Sequence, residues 1–302
     1  MVATNTGHSN PKEALTFMNA PQLDTHQPRI AAFFDLDKTI IATSSALAYG
    51  REFMHSGLIT PAEALQMSMA KATYMFSGYS SEQMDHTKNQ LAHLITGWSE
   101  EQVREIANDT LQSVVAPAIY AEARDLIHMH QETGHDVVII SASARILVEA
   151  IAAELGVGQV VATELTVVDG KFTGEVPFYC KGAAKAQAIL DLTDKRGYQL
   201  DRSFAYSDSI TDLPMLEAVG NPRAVNPDRA LKKVALDRDW EIHTFKNPVA
   251  LFSKPTKRDL QISTGVAAGV AAVVGSVMWW KSLNGRSDRL RLSCTRDPGT
   301  QM

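Results

Sequence analysis

The stretch that decides the fold is Arg29-Ile30-Ala31-Ala32-Phe33-Phe34-Asp35-Leu36-Asp37-Lys38-Thr39. A short apolar run that stops at an acidic residue is typical of a strand buried on both faces of a parallel sheet. Open parallel sheets bind their ligands beyond the carboxyl ends of the strands, and Asp35 and Asp37 stand directly after this one. The stretch therefore predicts an α/β fold with polar side chains at the functional edge of its sheet.

Downstream of this strand, apolar runs alternate with helical periodicity, which is the pattern of a parallel, doubly wound sheet. The predicted strands are 137–140, 160–162 and 203–207, and the predicted helices are 118–132, 145–155 and 182–196. Asp169-Gly170, between two apolar runs, predicts the turn of a β-hairpin. We expect a Rossmann-like core built from residues 29–43 and 116–250.

Residues 44–115, between the first strand and the rest of this core, have a purely helical pattern. Thr60-Pro61-Ala62-Glu63 and Ser99-Glu100-Glu101-Gln102 are helix start signals within it. Because the segment contains no strand candidate, we predict an all-helical cap inserted after the first strand.

Composition excludes some classes of protein. The net charge of −5 and the pI near 6.0 give no reason to expect a nucleic-acid partner. The two cysteines, Cys180 and Cys294, offer no disulfide framework, which fits a cytoplasmic catalytic domain. Residues 1–28 are polar and lack a signal peptide, so we expect a disordered lead-in, and we expect a basic disordered tail at 282–302.

Polar residues follow three of the predicted strands. Asp35 and Asp37 follow the first, Ser141 ends the second, and Asp208 and Asp212 follow the strand at 203–207. A single aspartate in such a place is usually a turn former or a helix cap. Four converging carboxylates repel one another unless a cation relieves the crowding. Because oxygen ligands favour a hard divalent cation, the pattern predicts Mg²⁺.

In their order and spacing, these groups resemble the motifs of the haloacid dehalogenase superfamily. Asp35-Leu36-Asp37-Lys38-Thr39 resembles the first motif, D-x-D-x-T, Ser141 resembles the second, and Asp208 with Asp212 resembles the fourth. The resemblance extends over about residues 30–245. A helical insertion directly after the first motif is similar to the cap of the phosphoserine-phosphatase-like subgroup.

The third motif of that family is a lysine, and two candidates precede Asp208. Lys185 opens a predicted helix at the spacing that the resemblance favours, whereas Lys181 lies one turn earlier. The alternative for each is a solvated surface lysine. We predict Lys185 and keep Lys181 as the second candidate.

The resemblance implies a role for each matched residue. Asp35 is the expected nucleophile, which forms an aspartyl-phosphate, and Asp37 is the expected general acid and base. The predicted metal ligands are Asp35, the carbonyl of Asp37, and Asp208. Asp212 is expected to contact the metal ligands, or to contact the metal through water. The predicted phosphate-binding residues are Ser141, Ala142 and Lys185.

These roles predict a Mg²⁺-dependent phosphomonoester phosphatase that acts on a small or amphiphilic phosphate ester. In phosphoserine phosphatases a glutamate shortly after the nucleophile recognises the substrate amino group, whereas residues 40–45 contain no acid here. That departure argues against phosphoserine itself. The alternatives are a phosphotransferase that uses the same intermediate and a catalytically idle, membrane-anchored interaction protein. The complete set of catalytic residue types argues against the second alternative.

The end of the chain differs from the core, because residues 260–280 contain no charged side chain. A stretch of this length can span a bilayer, and Trp279-Trp280 fits the membrane interface. We predict a membrane-anchoring helix at 259–281, with Gly265 and Gly269 as a G-x-x-x-G pair for helix-mediated self-association. The alternative is an Ala/Val helix packed within the protein or against a partner.

Overall fold

The apolar run before Asp35 forms a strand, β1 (Ala31–Phe34), in the computed structural model of the chain, which describes residues 29–60, 62–63, 88–90 and 92–247. All four of its side chains are buried, since β1 has a neighbouring strand on each side. Burial on both faces explains why the run is continuously apolar instead of alternating with polar residues.

The described strands after β1 are β2 (Asp136–Ala144), β3 (Gln159–Thr163), β4 (Val167–Val168), β5 (Lys171–Phe172), β6 (Phe204–Ser207), β7 (Asn221–Val225) and β8 (Glu241–His243). Six strands form one parallel sheet in the order β3-β2-β1-β6-β7-β8. The chain first builds outward from β1 to β3 and then returns to the other side of β1. The point of reversal, between β1 and β6, is where ligands bind in sheets of this class.

The described α-helices are α1 (Ser45–His55), α2 (Glu100–Thr110), α3 (Ala121–Glu132), α4 (Arg145–Glu154), α5 (Ala183–Arg196), α6 (Leu213–Glu217) and α7 (Arg229–Asp237). A π-helix (Leu111–Val115) and a 3-10 turn (Ala116–Ala118) continue α2 towards α3. Another 3-10 turn (Ile210–Asp212) precedes α6. The helices flank the sheet, so the predicted doubly wound α/β core is confirmed.

The predicted hairpin is also confirmed, with β4 and β5 antiparallel on either side of Asp169-Gly170. Both turn residues have positive φ, 50° and 72°, which is the backbone conformation that a two-residue hairpin turn requires. The predicted helix at 118–132 begins later, at Ala121, because Pro117 belongs to the 3-10 turn. The strands β7 and β8 were not predicted from the sequence, and Pro222 of β7 is atypical of a strand interior.

The insertion after β1 is described in part. Its first helix, α1, has Ser44 as N-cap, and α2 has Ser99 in the same role. The Thr60 amide donates to the Glu63 carboxylate at 2.8 Å, and the Glu63 amide donates to the Thr60 hydroxyl at 3.3 Å, as the predicted capping box requires. Residues 61, 64–87 and 91 of the predicted cap lie outside the described residues, and the boundaries at 44 and 115 stay predictions.

The predicted lead-in, membrane helix and tail (residues 1–28, 259–281 and 282–302) lie outside the described residues. Among the helices that the structure does describe, none combines the length and the apolar character needed to cross a bilayer. Anchorage and helix-mediated self-association therefore stay predictions from the sequence.

The buried His130 of α3 predicts how the free energy of unfolding depends on pH. His130 is 1% exposed, its Nε2 lies 2.8 Å from the Tyr206 hydroxyl, and its Nδ1 lies 2.8 Å from Nδ1 of His135. Burial, assisted by His135 and Arg223, lowers the pKa of His130 from 6.5 to about 4. Between these two values the unfolded chain binds more protons than the native protein, so the free energy of unfolding falls as the pH falls.

We expect His130 to account for a loss of about 2 kcal/mol between pH 7 and pH 5. Urea unfolding of the wild type and of His130→Gln at both pH values measures this loss of stability. Glutamine is the chosen replacement because it keeps a donor and an acceptor but does not titrate. The variant should lose less stability on acidification than the wild type. An equal loss in both proteins would contradict the assignment.

Candidate active site

Three strands bring the predicted site residues to one edge of the sheet. Phe34, the last residue of β1, lies opposite Ile139 of β2 and Tyr206 of β6. The Asp35 amide continues this pairing by donating to the Tyr206 carbonyl at 2.9 Å. The residues that follow each strand therefore meet at the carboxyl edge, as predicted from the sequence.

A buried lysine connects two of the predicted carboxylates. Lys185 is 2% exposed, and its Nζ donates to Oδ1 of Asp35 at 2.6 Å and to Oδ2 of Asp212 at 2.7 Å. The Ser207 hydroxyl donates to the same Asp212 oxygen at 2.8 Å, and the Thr39 hydroxyl donates to Oδ2 of Asp35 at 3.3 Å. These contacts hold the Asp35 carboxylate in one orientation.

The same cluster is electrostatically crowded. Burial raises the pKa of Asp35 to about 8, Asp212 and Asp208 add to the rise, and Lys185 offsets only part of it. Burial likewise raises the pKa of Asp208 to about 7, with Lys38 as the main opposing charge. Burial alone would lower the pKa of Lys185, but Asp212 and Asp35 outweigh it and raise that pKa above its ordinary value. The protein thus collects more negative charge at this edge than its own lysines neutralise.

The Asp37 carboxylate is directed towards the start of α1. Its Oδ1 accepts from the Ser45 amide at 2.9 Å, and its Oδ2 accepts from the Ser45 hydroxyl at 3.4 Å. The Ser45 hydroxyl also lies 2.5 Å from the Ser143 hydroxyl. The Ser143 amide donates in turn to the hydroxyl of Ser141, which is 1% exposed, at 3.1 Å. Asp37 and the last residues of β2 are therefore connected through two serines. The strand continues to Ala144, so Ser141 lies within β2 and does not end it as the sequence predicted.

The loop that carries Asp208 is held by the start of α7. The Asp228 amide donates to the Asp208 carbonyl at 2.7 Å. The Asp228 carboxylate accepts from the amides of Ile210 at 2.9 Å and Leu231 at 2.8 Å. One side chain thus caps a helix and fixes the loop between Asp208 and Asp212, which limits where the Asp208 carboxylate can point.

The other sequence candidates occupy different surroundings. Lys181 is partly buried, and burial lowers its pKa, whereas Lys185 contacts Asp35 directly. The Ala142 carbonyl accepts from the Thr163 hydroxyl at 2.7 Å, which connects the last residues of β2 to the end of β3. Cys180 is fully buried, and burial raises the pKa of its thiol to about 12, as expected of a packed cysteine that is not activated.

Sequence reasoning missed four residues that hold the site together. They are Ser45, Ser143, Ser207 and Asp228. Ser45, Ser143 and Ser207 lie near a predicted strand end or helix start, whereas Asp228 caps α7, a helix that was not predicted. Small polar residues are common in any loop. Their partners are set by the fold, so the sequence offered no signal that separates them from ordinary turn and cap residues.

The chain is similar to several known proteins. A family model for haloacid dehalogenase-like hydrolases matches residues 32–217. A probable phosphatase of Mycobacterium tuberculosis is 44% identical over 275 residues, which cover 91% of this chain and 96% of that protein. A phosphoserine phosphatase from the same organism is 32% identical over 250 residues, covering 82% and 80%.

Two further proteins resemble the chain without a stated chemistry. The inhibition of morphological differentiation protein of Streptomyces azureus is 46% identical over 261 residues, which cover 84% of this chain and 93% of that protein. A Bordetella pertussis protein of unknown function has a crystal structure with a TM-score of 0.64 at 25% identity. The match covers 75% of this chain and all of that one.

Proposed function

The chain belongs to the haloacid dehalogenase-like hydrolase family and is a phosphatase; we propose that it is a Mg²⁺-dependent phosphomonoesterase that forms an aspartyl-phosphate on Asp35. The observation that carries the proposal is the buried contact of 2.6 Å between Asp35 and Lys185, at the carboxyl end of the central strand. The contact supports the proposal because the Asp35 carboxylate and a positive charge lie together at the edge where a doubly wound sheet binds its ligand.

Phosphate-monoester hydrolysis is very slow without a catalyst, so both a divided reaction and strong charge stabilisation are needed. A carboxylate oxygen of Asp35 attacks phosphorus, the bond to the leaving-group oxygen breaks, and water later cleaves the acyl phosphate. The attack joins a charge of −1 to a phosphate of about −2. The Lys185 ammonium offsets part of that repulsion, and its two carboxylate contacts keep it in place.

The residues at this edge fit a bound Mg²⁺. Among the described residues, no group of three or more Asp, Glu, His or Cys side chains could hold a metal ion by itself, so the proposed site also uses a backbone oxygen. Two carboxylates, of Asp35 and Asp208, and the carbonyl of Asp37 would hold the ion, and Mg²⁺ commonly keeps water and phosphate oxygens at its other positions. Burial raises the pKa of both carboxyls, and nearby carboxylates, Asp212 among them, add to the rise, as expected where a cation is needed for balance. When bound, Mg²⁺ supplies the positive charge that lets both carboxylates and the phosphate meet.

The remaining predicted roles concern protons and orientation. Asp37 donates a proton to the leaving-group oxygen and later removes one from the attacking water. The Ser141 hydroxyl and the adjoining backbone at Ala142 orient the phosphoryl oxygens together with Lys185. Asp212 orients Lys185, because its carboxylate accepts a hydrogen bond from the lysine Nζ at 2.7 Å.

We propose a small or amphiphilic phosphate ester as the substrate. One relative is named a phosphoserine phosphatase, but residues 40–45 contain no carboxylate to pair with a substrate ammonium. Ser44, in that segment, instead caps α1 through the Leu47 amide. A panel of amino-acid, sugar, polyol and lysolipid phosphates compares these classes directly, and preference for phosphoserine would contradict this part of the proposal.

The proposed chemistry predicts a strict requirement for metal. Phosphate release from p-nitrophenyl phosphate should fall at least about 100-fold after dialysis against EDTA, because a metal in such a site contributes several kcal/mol. Mg²⁺ should restore the activity, and Ca²⁺ should restore much less, because it prefers more ligands and longer bonds.

Full activity in EDTA would contradict the metal proposal. Adding glycerol or ethanol as acceptor separates hydrolysis from phosphotransfer, since a transferase makes a new ester instead of free phosphate. Absence of turnover across the whole panel would favour the idle interaction protein.

A further inference from the structure

We propose that Ser45, supported by Ser143, is a positioning residue that fixes the carboxylate of Asp37 and couples it to the predicted phosphate-binding segment at Ser141, within β2. The inference rests on the proposed function, because it concerns how the general acid of that reaction is held. Ser45 is the first residue of α1, so it belongs to the segment inserted after β1.

The contacts of Ser45 with Asp37 use both its backbone and its side chain. The amide donates to Oδ1 at 2.9 Å, and the hydroxyl donates to Oδ2 at 3.4 Å. Ser45 is 1% exposed, so water does not compete for these donors. The first amides of a helix have no partner within the helix and carry its positive dipole end. The carboxylate therefore satisfies one such amide of α1 and is held in a single orientation.

The hydroxyl of Ser45 also determines the direction of the next hydrogen bond. A serine hydroxyl has one proton to donate, and in this arrangement the Ser45 proton points to Asp37. The Ser143 hydroxyl must then be the donor in its 2.5 Å contact with Ser45. The Ser143 amide donates to Ser141 at 3.1 Å. Ser143 thus donates on both sides, through its amide to Ser141 and through its hydroxyl to Ser45, and so connects this part of β2 to the acid.

This arrangement sets the Asp37 carboxylate relative to the phosphoryl group. A general acid acts only when its oxygen lies within hydrogen-bond reach of the leaving-group oxygen. Misplacement of a reacting group by about 1 Å can cost about 100-fold in rate. Ser45 touches neither phosphate nor metal in this scheme, so its contribution passes entirely through Asp37.

A general acid matters most when the leaving group is poor, and this predicts a chemical signature. Phenolate, with a pKa near the value of about 10 for tyrosine, needs a proton as it departs, whereas p-nitrophenolate leaves readily without one. In Ser45→Ala we expect kcat/KM for phenyl phosphate to fall about 10- to 50-fold, a part of the full contribution of a general acid. For p-nitrophenyl phosphate we expect a fall of less than about 3-fold.

Three further variants separate positioning from a structural effect. Ser45→Thr keeps the hydroxyl and should recover most of the activity on phenyl phosphate. Ser44→Ala removes the neighbouring hydroxyl, which bonds the Leu47 amide instead of Asp37, and should leave the ratio of the two substrates unchanged. In an Asp37→Ala background, Ser45→Ala should cause no additional loss, because a residue that acts through another shows no effect in its absence.

Active wild-type enzyme establishes that the proposed function holds before the variants are compared. An equal loss on both substrates in Ser45→Ala, or no loss, would then overturn the inference. Failure of the wild type to hydrolyse either ester would overturn the proposed function, and the inference with it. Thermal unfolding checks each variant, and if Ser45→Ala does not fold, Ser143→Ala decides the question by the same substrate ratio.

Discussion

Asp35→Asn should abolish phosphate release, with kcat/KM at least about 10⁴-fold below the wild type. The amide oxygen of asparagine can still accept the hydrogen bond from Lys185, which now lies 2.6 Å from Asp35. The amide is not a nucleophile, however, so no acyl phosphate can form. The fold should survive, because Asp212 remains as the counter-charge of Lys185.

The measurement combines kinetics with direct detection of the intermediate. Acid-quenched wild-type enzyme, treated with labelled substrate, should carry the label on the peptide that contains Asp35, and the variant should carry none. Asp125→Asn makes the same chemical change at an exposed position of α3 and should retain full activity. Undiminished turnover by a well-folded, contaminant-free Asp35→Asn preparation would remove Asp35 from the role of nucleophile.

Lys185→Met should lower kcat/KM about 10³-fold, the upper range for loss of one group that stabilises the transition-state charge. Methionine fills most of the same volume, so the main change is the loss of the ammonium. Lys185 is buried between Asp35 and Asp212, and removal of one partner from such a group leaves uncompensated buried charge. We therefore also expect a loss of about 3–5 kcal/mol in the free energy of unfolding.

Lys181→Met is the matched control, because it removes the other candidate lysine four positions earlier in the same segment. Its kcat/KM should stay within about 5-fold of the wild type, since Lys185 already supplies the charge beside Asp35. Lys185→Arg retains the charge and provides a second test if Lys185→Met is too unstable to assay. A larger loss in Lys181→Met than in either Lys185 variant would reverse the choice between the two lysines.

Much of the site could be predicted from the sequence because its carboxylates lie next to recognisable strands. Asp35 and Asp37 directly follow an apolar run, and Asp208 follows another. In a parallel sheet the carboxyl ends of neighbouring strands share one edge, so their convergence could be inferred without coordinates. The hairpin at Asp169-Gly170 was equally local, because its turn requires positive φ at two successive residues.

The choice between Lys181 and Lys185 could not be made from the neighbouring residues in the sequence. Both lysines flank Gly182, which has a φ of 58° before α5 begins at Ala183. This left-handed residue and the helix that follows it determine which side chain points towards Asp35. Spacing favoured Lys185, but the contact itself depends on how α5 packs beside the sheet, and periodicity does not contain that information.

The sequence alone determined that this chain has a doubly wound core with a nucleophile motif after its first strand. Buried strands are recognisable in a sequence as short apolar runs, and their order along the chain is known. Only the tertiary structure decided how the acid is held, since Ser45 and Ser143 lie 98 positions apart. Whether two such residues form a hydrogen bond depends on differences of a few tenths of an ångström in the distance between their oxygen atoms. A hydrophobic pattern specifies which faces are buried but does not specify contacts at that precision.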